Sequence, residues 1–134
     1  MEQIKKSILI VDDETYIRQS FIDYFEDRHW LVFDTESGES ALELLKTQAC
    51  SAAIVDIRMT GMDGEVFIRS ASEKYPDMVF AICTGSPEYQ TSEDILRLPN
   101  VANQVFGKPV IDMDKLENII KGMLGGNPSI RPDP

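Results

Sequence analysis

The chain has 134 residues, the length of one ordinary domain, and 43% of them are hydrophobic and 27% charged. These fractions are close to globular averages and exclude a largely disordered or collagen-like chain. Acidic residues outnumber basic residues 23 to 13, for a net charge of −10. Because so acidic a surface repels phosphate backbones, we do not expect this domain to bind nucleic acid.

The cysteine content and the apolar runs indicate where the protein resides. Two cysteines, Cys50 and Cys83, are too few for a disulfide framework and are typical of a reducing compartment. The apolar run after Lys5 and Lys6 is too short for a signal peptide and ends in acidic residues. No stretch approaches the length of a membrane span. We therefore expect a soluble, cytoplasmic protein without a membrane partner.

Short apolar runs rich in β-branched residues alternate with segments of helical spacing. Runs that are apolar on successive residues are typical of strands buried on both faces of a parallel sheet. In chain order these runs are residues 8–11, 30–33, 52–55, 78–83 and 101–106. They predict five strands.

A segment with apolar residues at helical spacing follows each predicted strand. In chain order, these residues are Ile17, Phe21, Tyr24 and Phe25; Ala41, Leu44 and Leu45; Val66, Phe67 and Ala71; Ile95 and Leu98; and Leu116, Ile119, Ile120, Met123 and Leu124. Ser86 and Pro87 have the residue types of an N-cap and a first helical position. The fourth helix is therefore predicted to begin there and to end before Pro99.

Five strand–helix pairs predict an α/β fold with a doubly wound, five-stranded parallel sheet and helices on both faces. Residues 1–124 are assigned to this domain. Residues 125–134 begin with two glycines, contain three prolines, and are interpreted as a tail or linker. The sequence ends without a capping feature, which is compatible with a further domain beyond Pro134.

Polar residues follow four of the predicted strands. Asp12 and Asp13 follow the first strand, Asp56 the third, Thr84 the fourth and Lys108 the fifth. Ligands of open parallel sheets bind beyond the carboxyl ends of the strands. The predicted sheet therefore brings three carboxylates, a hydroxyl and an ammonium group to one edge.

These residue types favour phosphoryl chemistry with a hard metal ion. Three carboxylates in one pocket repel each other unless a cation joins them, and oxygen-only ligands suit Mg²⁺. One carboxylate could attack phosphorus and become an aspartyl phosphate. Mg²⁺, Lys108 and the Thr84 hydroxyl would then neutralise the phosphoryl oxygens.

Four short motifs occur in a fixed order along the chain. They are ILIVDDE at residues 8–14, DIRMTGMDG at residues 56–64, Thr84-Gly85 and Lys108-Pro109. Together they resemble the opening strand and acidic pair, the phosphoacceptor loop, the switch hydroxyl and the lysine–proline pair of bacterial response regulator receiver domains. The resemblance extends over the chain up to the double glycine.

The resemblance implies both a fold and a set of site residues. It implies a flavodoxin-like (βα)5 fold like that of chemotaxis regulators, with strand order 2-1-3-4-5. Asp56 would accept phosphate from a histidine kinase or a phosphotransfer protein, assisted by Thr84 and Lys108. Asp13, Asp56 and the Arg58 backbone carbonyl would bind Mg²⁺ directly, and Asp12 mostly through a water molecule.

The resemblance also implies a signalling role rather than a metabolic one. The domain would catalyse only its own phosphorylation and dephosphorylation, and would switch the surface offered to a partner or an output domain. A homodimer through the last two helices and the fifth strand would be compatible with this role. The Lys108–Pro109 peptide bond is expected to be cis.

Two positions depart from the family pattern. Thr60 stands where the family usually has proline, and Val105 stands where it has an aromatic residue, three positions before Lys108. Phe106 comes one residue later, so it should point to the opposite face of the strand. We therefore expect weak aromatic switching, with the signal carried by residues 84–89 and the helix after them.

Other interpretations of the same residues remain open. Each motif alone also fits a helix cap, a loop acid or a turn. An interaction module without phosphotransfer would not need the complete polar set. A phosphatase that forms an aspartyl phosphate usually has a second acid two residues after its nucleophile, where this chain has Arg58. A flavin-binding relative would need a hydroxyl- and glycine-rich loop where this chain has Asp12, Asp13 and Glu14.

Overall fold

In the computed structural model, which describes residues 6–59, 61–86 and 90–125, five strands alternate with five helices. The elements are β1 (Ser7–Val11), α1 (Thr15–Asp27), β2 (Leu31–Thr35), α2 (Gly38–Leu45), β3 (Ala52–Asp56), α3 (Gly64–Lys74), β4 (Val79–Thr84), α4 (Glu93–Leu96), β5 (Val101–Gly107) and α5 (Met113–Leu124). None of the helices in these ranges is long and apolar enough to cross a membrane.

The strands form one parallel sheet with the order β2-β1-β3-β4-β5, as predicted. Every residue of β1, β3 and β4 is buried, because helices cover both faces of these central strands. The chain turns to one side after β1 to form β2 and then crosses to the other side to form β3. The carboxyl ends of β1 and β3 therefore flank the crevice at which such sheets bind ligands.

Alternation along each strand divides the core into two layers. Leu9 and Val11 of β1 pack into the layer under α2, α3 and α4, while Ile8 and Ile10 pack into the layer under α1 and α5. On β5, Val105 packs against the first layer, and Phe106, 6% exposed, belongs to the second. The prediction that Phe106 faces away from Val105 is confirmed.

The prediction for the fourth helix was wrong at its start. The helix α4 has four residues, and its N-cap is Ser92 rather than Ser86. Residues 90–92 are not helical, because the backbone N–H of Ser92 binds Glu65 of α3 instead of continuing a helix. Pro87 lies outside the described residues. A tertiary contact has overridden a local start signal.

Smaller differences concern the ends of other elements. The strand β2 begins at Leu31 rather than at residue 30 and continues to Thr35. Leu124 ends α5, and Gly125 is its C-cap, as predicted. Thr60, Gly126 and the rest of the C-terminal tail lie outside the described residues, so the proposed boundary of the domain stays a prediction.

Candidate functional site

The carboxyl ends of four strands bring the predicted polar residues to one edge of the sheet. Asp12 follows β1 directly, Asp56 ends β3, Thr84 ends β4 and Lys108 follows β5 directly. Asp12 is 2% exposed and Asp56 3% exposed. Their burial at strand ends explains why each stands immediately after an apolar run in the sequence.

Lys108 reaches from the edge strand across β4 to the centre of this group. Its Nζ atom lies 3.0 Å from Asp12 Oδ2 and 3.2 Å from Asp56 Oδ2. The Lys108 backbone N–H donates to the Thr84 carbonyl oxygen at 2.9 Å, and the Lys108–Pro109 peptide bond is cis, as expected. One ammonium group thus bridges the carboxylates at the ends of β1 and β3.

Glu14 joins this group, although the sequence interpretation did not assign it a role. Its Oε1 atom lies 2.8 Å from Lys108 Nζ, closer than either aspartate. Asp12, Asp13, Glu14 and Asp56 each place one carboxylate oxygen within 4.8 Å of the others. The only sequence signal for Glu14 was its place in a run of three acidic residues.

The burial of these carboxylates changes their titration. Burial and, after it, the negative charge of Asp12 raise the pKa of Asp56 to about 6, against the opposing effect of Lys108. Burial also raises the pKa of Asp12, against the bonds from Glu14 N–H and Lys108. Burial lowers the pKa of Lys108, but its bonds to Glu14 and Asp12 outweigh this and raise it overall. The group therefore favours a further cation over a further anion.

The loop after Asp56 is held close to the strand that it leaves. Asp56 Oδ1 accepts a hydrogen bond from the Arg58 backbone N–H at 3.3 Å. Asp63 caps α3 by accepting from the Val66 N–H at 3.0 Å. A Cβ atom on Gly64 would collide with the Asp56 carbonyl oxygen, so glycine is required where α3 begins. The role of the Arg58 carbonyl stays a prediction.

Thr84 lies on the side of the site opposite β1. It is 7% exposed, and its hydroxyl accepts a hydrogen bond from the Ser86 N–H at 3.1 Å. The Arg58 guanidinium lies 3.5 Å from the Ser86 hydroxyl. The residues after β3 and β4 therefore meet beside Asp56, so all of the residues predicted for the site lie at one edge.

A model of the response regulator receiver domain family matches residues 8–121. The chain is 32% identical over 102 residues to the hydrogenase transcriptional regulatory protein HoxA of Cupriavidus necator, covering 76% of this chain and 20% of that protein. It spans less than half the length of the curated relatives it matches first.

Solved structures support the same relationship. A CheY-like receiver domain from Methanospirillum hungatei matches with a TM-score of 0.75 and 28% identity, covering 90% of this chain and 94% of that one. TrrA of Thermotoga maritima, solved in complex with Mg(2+)-BeF, matches with a TM-score of 0.76 and 25% identity, covering 89% and 99%. With the family match extending over nearly all of the described sheet and helices, this chain belongs to the response regulator receiver domain family of two-component systems.

Proposed function

We propose that this chain receives a phosphoryl group on Asp56, in the presence of Mg²⁺, from a histidine kinase or a phosphotransfer protein. The observation that carries the proposal is the position of Lys108 Nζ, 3.2 Å from Asp56 Oδ2 and 3.0 Å from Asp12 Oδ2. In this position the ammonium can contact a phosphoryl oxygen on Asp56 while it remains paired with Asp12.

The donor set fits a magnesium ion. The acidic group offers only oxygen atoms, and one oxygen from each of its four carboxylates lies within 4.8 Å of the others. Asp12, Asp13 and Asp56 would hold the ion, with the Arg58 backbone carbonyl as a further ligand. When bound, Mg²⁺ supplies positive charge that offsets the charge of the phosphoryl oxygens.

The residues of the chain have separate roles in the transfer. A carboxylate oxygen of Asp56 forms a bond to phosphorus, and the bond from phosphorus to the donor's leaving group breaks with its electron pair. Lys108 neutralises one phosphoryl oxygen, and the Thr84 hydroxyl can donate to another. The same groups would serve dephosphorylation, in which water attacks phosphorus, the bond from phosphorus to the Asp56 oxygen breaks with its electron pair, and inorganic phosphate leaves. The domain would therefore catalyse only its own phosphorylation and dephosphorylation.

The phosphorylated domain would act by changing the surface that it offers to other proteins. HoxA is named as a transcriptional regulatory protein and is longer than this chain. We infer that residues 1–124 form the receiver and that residues 125–134 form a tail or linker, an arrangement compatible with an output domain beyond Pro134. A homodimer through α4, β5 and α5 is compatible with this arrangement, and the acidic receiver itself would not bind nucleic acid.

Phosphate uptake by the wild type and by Asp56→Asn tests the proposal. Both proteins are incubated with a small phosphodonor and Mg²⁺, and intact mass is measured. Only the wild type should gain a phosphoryl group. Asp63→Asn is the matched control, since it changes another carboxylate of the same loop while asparagine still caps α3. Equal uptake by Asp56→Asn and the wild type would refute the assignment.

A further inference from the structure

In the first turn of α3, a charged residue is buried and an apolar residue is exposed. Glu65 is 8% exposed, whereas its neighbour Val66 is 44% exposed. Carboxylates are almost never buried unless they are paired. A glutamate in the position that suits an apolar residue therefore needs a reason, and its partners supply one.

The partners of Glu65 lie at the start of α4. Glu65 Oε1 accepts from the Ser92 hydroxyl at 2.6 Å, and Oε2 accepts from the Ser92 backbone N–H at 3.1 Å. We call this pair of hydrogen bonds the Glu65–Ser92 clasp. Arg69, one turn along α3, lies 3.2 Å from Glu65 Oε1 and also binds Asp94 of α4 at 3.0 Å.

The helix α4 depends on this clasp because it has little stability of its own. It has four residues, fewer than an isolated helix needs to offset the cost of nucleation. Its N-cap Ser92 makes no side-chain bond to the helix, since the hydroxyl donates to Glu65 instead. The start of α4 is therefore held by a residue of α3.

The start of α3, where Glu65 lies, packs against the backbone that follows Asp56. Gly64, the residue before Glu65, donates its N–H to the Ile57 carbonyl oxygen at 2.9 Å. A Cβ on Gly64 would lie 2.8 Å from Ile57 Cα, so no free space separates α3 from the backbone after Asp56. A displacement of that backbone must move the first turn of α3, and with it Glu65.

We propose that Glu65 is a positioning residue that couples α3 to α4, so that a change at Asp56 reaches α4 through the Glu65–Ser92 clasp. This inference rests on the proposed function of Asp56. The two bonds of the clasp are directional and one carboxylate makes both, so α4 either follows α3 or loses the clasp. Val105 on β5 is too short to serve as an aromatic switch, so the contact from α3 gives the site a connection to α4 that does not need one.

The test combines beryllium fluoride, as a phosphoryl mimic, with hydrogen exchange. Fluorine NMR reports whether the mimic is bound in the presence of Mg²⁺, and amide exchange of α4 reports the response. In the wild type, the mimic should bind and change α4 exchange. Glu65→Met should bind the mimic, show no α4 response, and exchange its α4 amides about tenfold faster without the mimic.

Two further variants control this experiment. Asp94→Asn removes the exposed ion pair between the same two helices and leaves the clasp in place, so it should respond as the wild type does. Ser92→Ala removes the hydroxyl bond of the clasp but keeps the backbone N–H bond to Glu65, so it should weaken the α4 response in the direction of Glu65→Met. It also serves as the second variant if Glu65→Met folds poorly. The double variant should respond as Glu65→Met does, because Glu65→Met has already removed the hydroxyl bond that Ser92→Ala deletes.

Each alternative outcome is decisive. An equal α4 response in the wild type and Glu65→Met would overturn the coupling while leaving the function of Asp56 intact, and so would an equal response in the wild type and Ser92→Ala if Glu65→Met does not fold. Loss of mimic binding in both clasp variants would overturn it too, because Glu65 would then belong to the binding site. A wild type that binds no mimic would refute the proposed function, and the coupling with it.

Discussion

At the scale of single residues, the groups around Asp56 decide at which pH its carboxyl group is ionised. A carboxylate is nucleophilic only when it is ionised, yet burial and the negative charge of Asp12 together raise the pKa of Asp56 to about 6. Lys108 opposes both, but it is shared with Asp12 and Glu14. A bound cation would favour the ionised form, so metal binding and nucleophilicity should rise together.

The raised pKa of Asp56 predicts that the metal-free protein loses folding stability as the pH rises and this carboxyl group ionises. Well below pH 4 the Asp56 carboxyl is protonated in both the folded and the unfolded state, so it does not change the free energy of unfolding. As pH rises from about 4 to 6, the unfolded chain releases the proton first and stability is lost, up to about 3 kcal/mol. The stability of Asp56→Asn relative to the wild type should therefore grow over this range and level off above it.

Urea unfolding at several pH values, in the presence of a chelator, measures this difference. Repeating the series with saturating Mg²⁺ is the control, because the ion favours the ionised carboxylate and should shrink the difference. A difference that stays constant from pH 4 to 7 would contradict the raised pKa.

At the scale of the elements, the start of α3 is the tightest junction beside the site. Gly64→Ala forces a Cβ against the Asp56 carbonyl oxygen, and overpacking of this kind costs about 1–3 kcal/mol. We expect the denaturation midpoint of Gly64→Ala to fall accordingly, and its phosphate uptake to slow. Gly107→Ala is the matched control, since a Cβ at Gly107 meets nothing within 4 Å. Equal midpoints for the two variants would contradict this account.

The sequence predicted the elements wherever the signal was local or repeated. Fully apolar runs identified β1, β3 and β4, and the residues that end these runs include Asp12 and Asp56 of the site. The start of α4 could not be predicted in this way. Ser86 has the residue type of a cap, but the contact that decides the matter joins Ser92 to a residue 27 positions earlier.

The role of Glu14 in the site could not be predicted from the sequence either. The acidic run indicated a cluster, but the bond that Lys108 donates to Glu14 joins residues 94 positions apart and depends on how the lysine side chain crosses β4. Side-chain paths of this kind follow from the assembled sheet rather than from the spacing of residues. The position of Val105 relative to Phe106 was predictable, because a strand alternates faces at every residue.

At the scale of the whole molecule, excess negative charge makes stability sensitive to divalent ions. The chain carries a net charge of −10, and four carboxylates converge at one edge of the sheet. An ion that binds only the folded state stabilises it by about 2.7 kcal/mol at a hundredfold excess over its dissociation constant. The melting temperature should therefore rise with Mg²⁺, and Asp13→Ala should lose most of the increase.

Scanning calorimetry with MgCl₂ and with NaCl at matched ionic strength separates binding from general screening. An equal rise in both salts, or in both proteins, would argue against a specific metal site.

The Lys108–Asp12 contact joins residues that are far apart in the sequence, and this separation makes phosphorylation depend on complete folding. These two residues lie 96 positions apart, and they meet only when β1, β3, β4 and β5 are all in place. A nascent, truncated or partly unfolded chain lacks this pairing and cannot present the complete acceptor. Only fully folded molecules would therefore be phosphorylated on Asp56, and partly unfolded or truncated copies would not contribute to the signal.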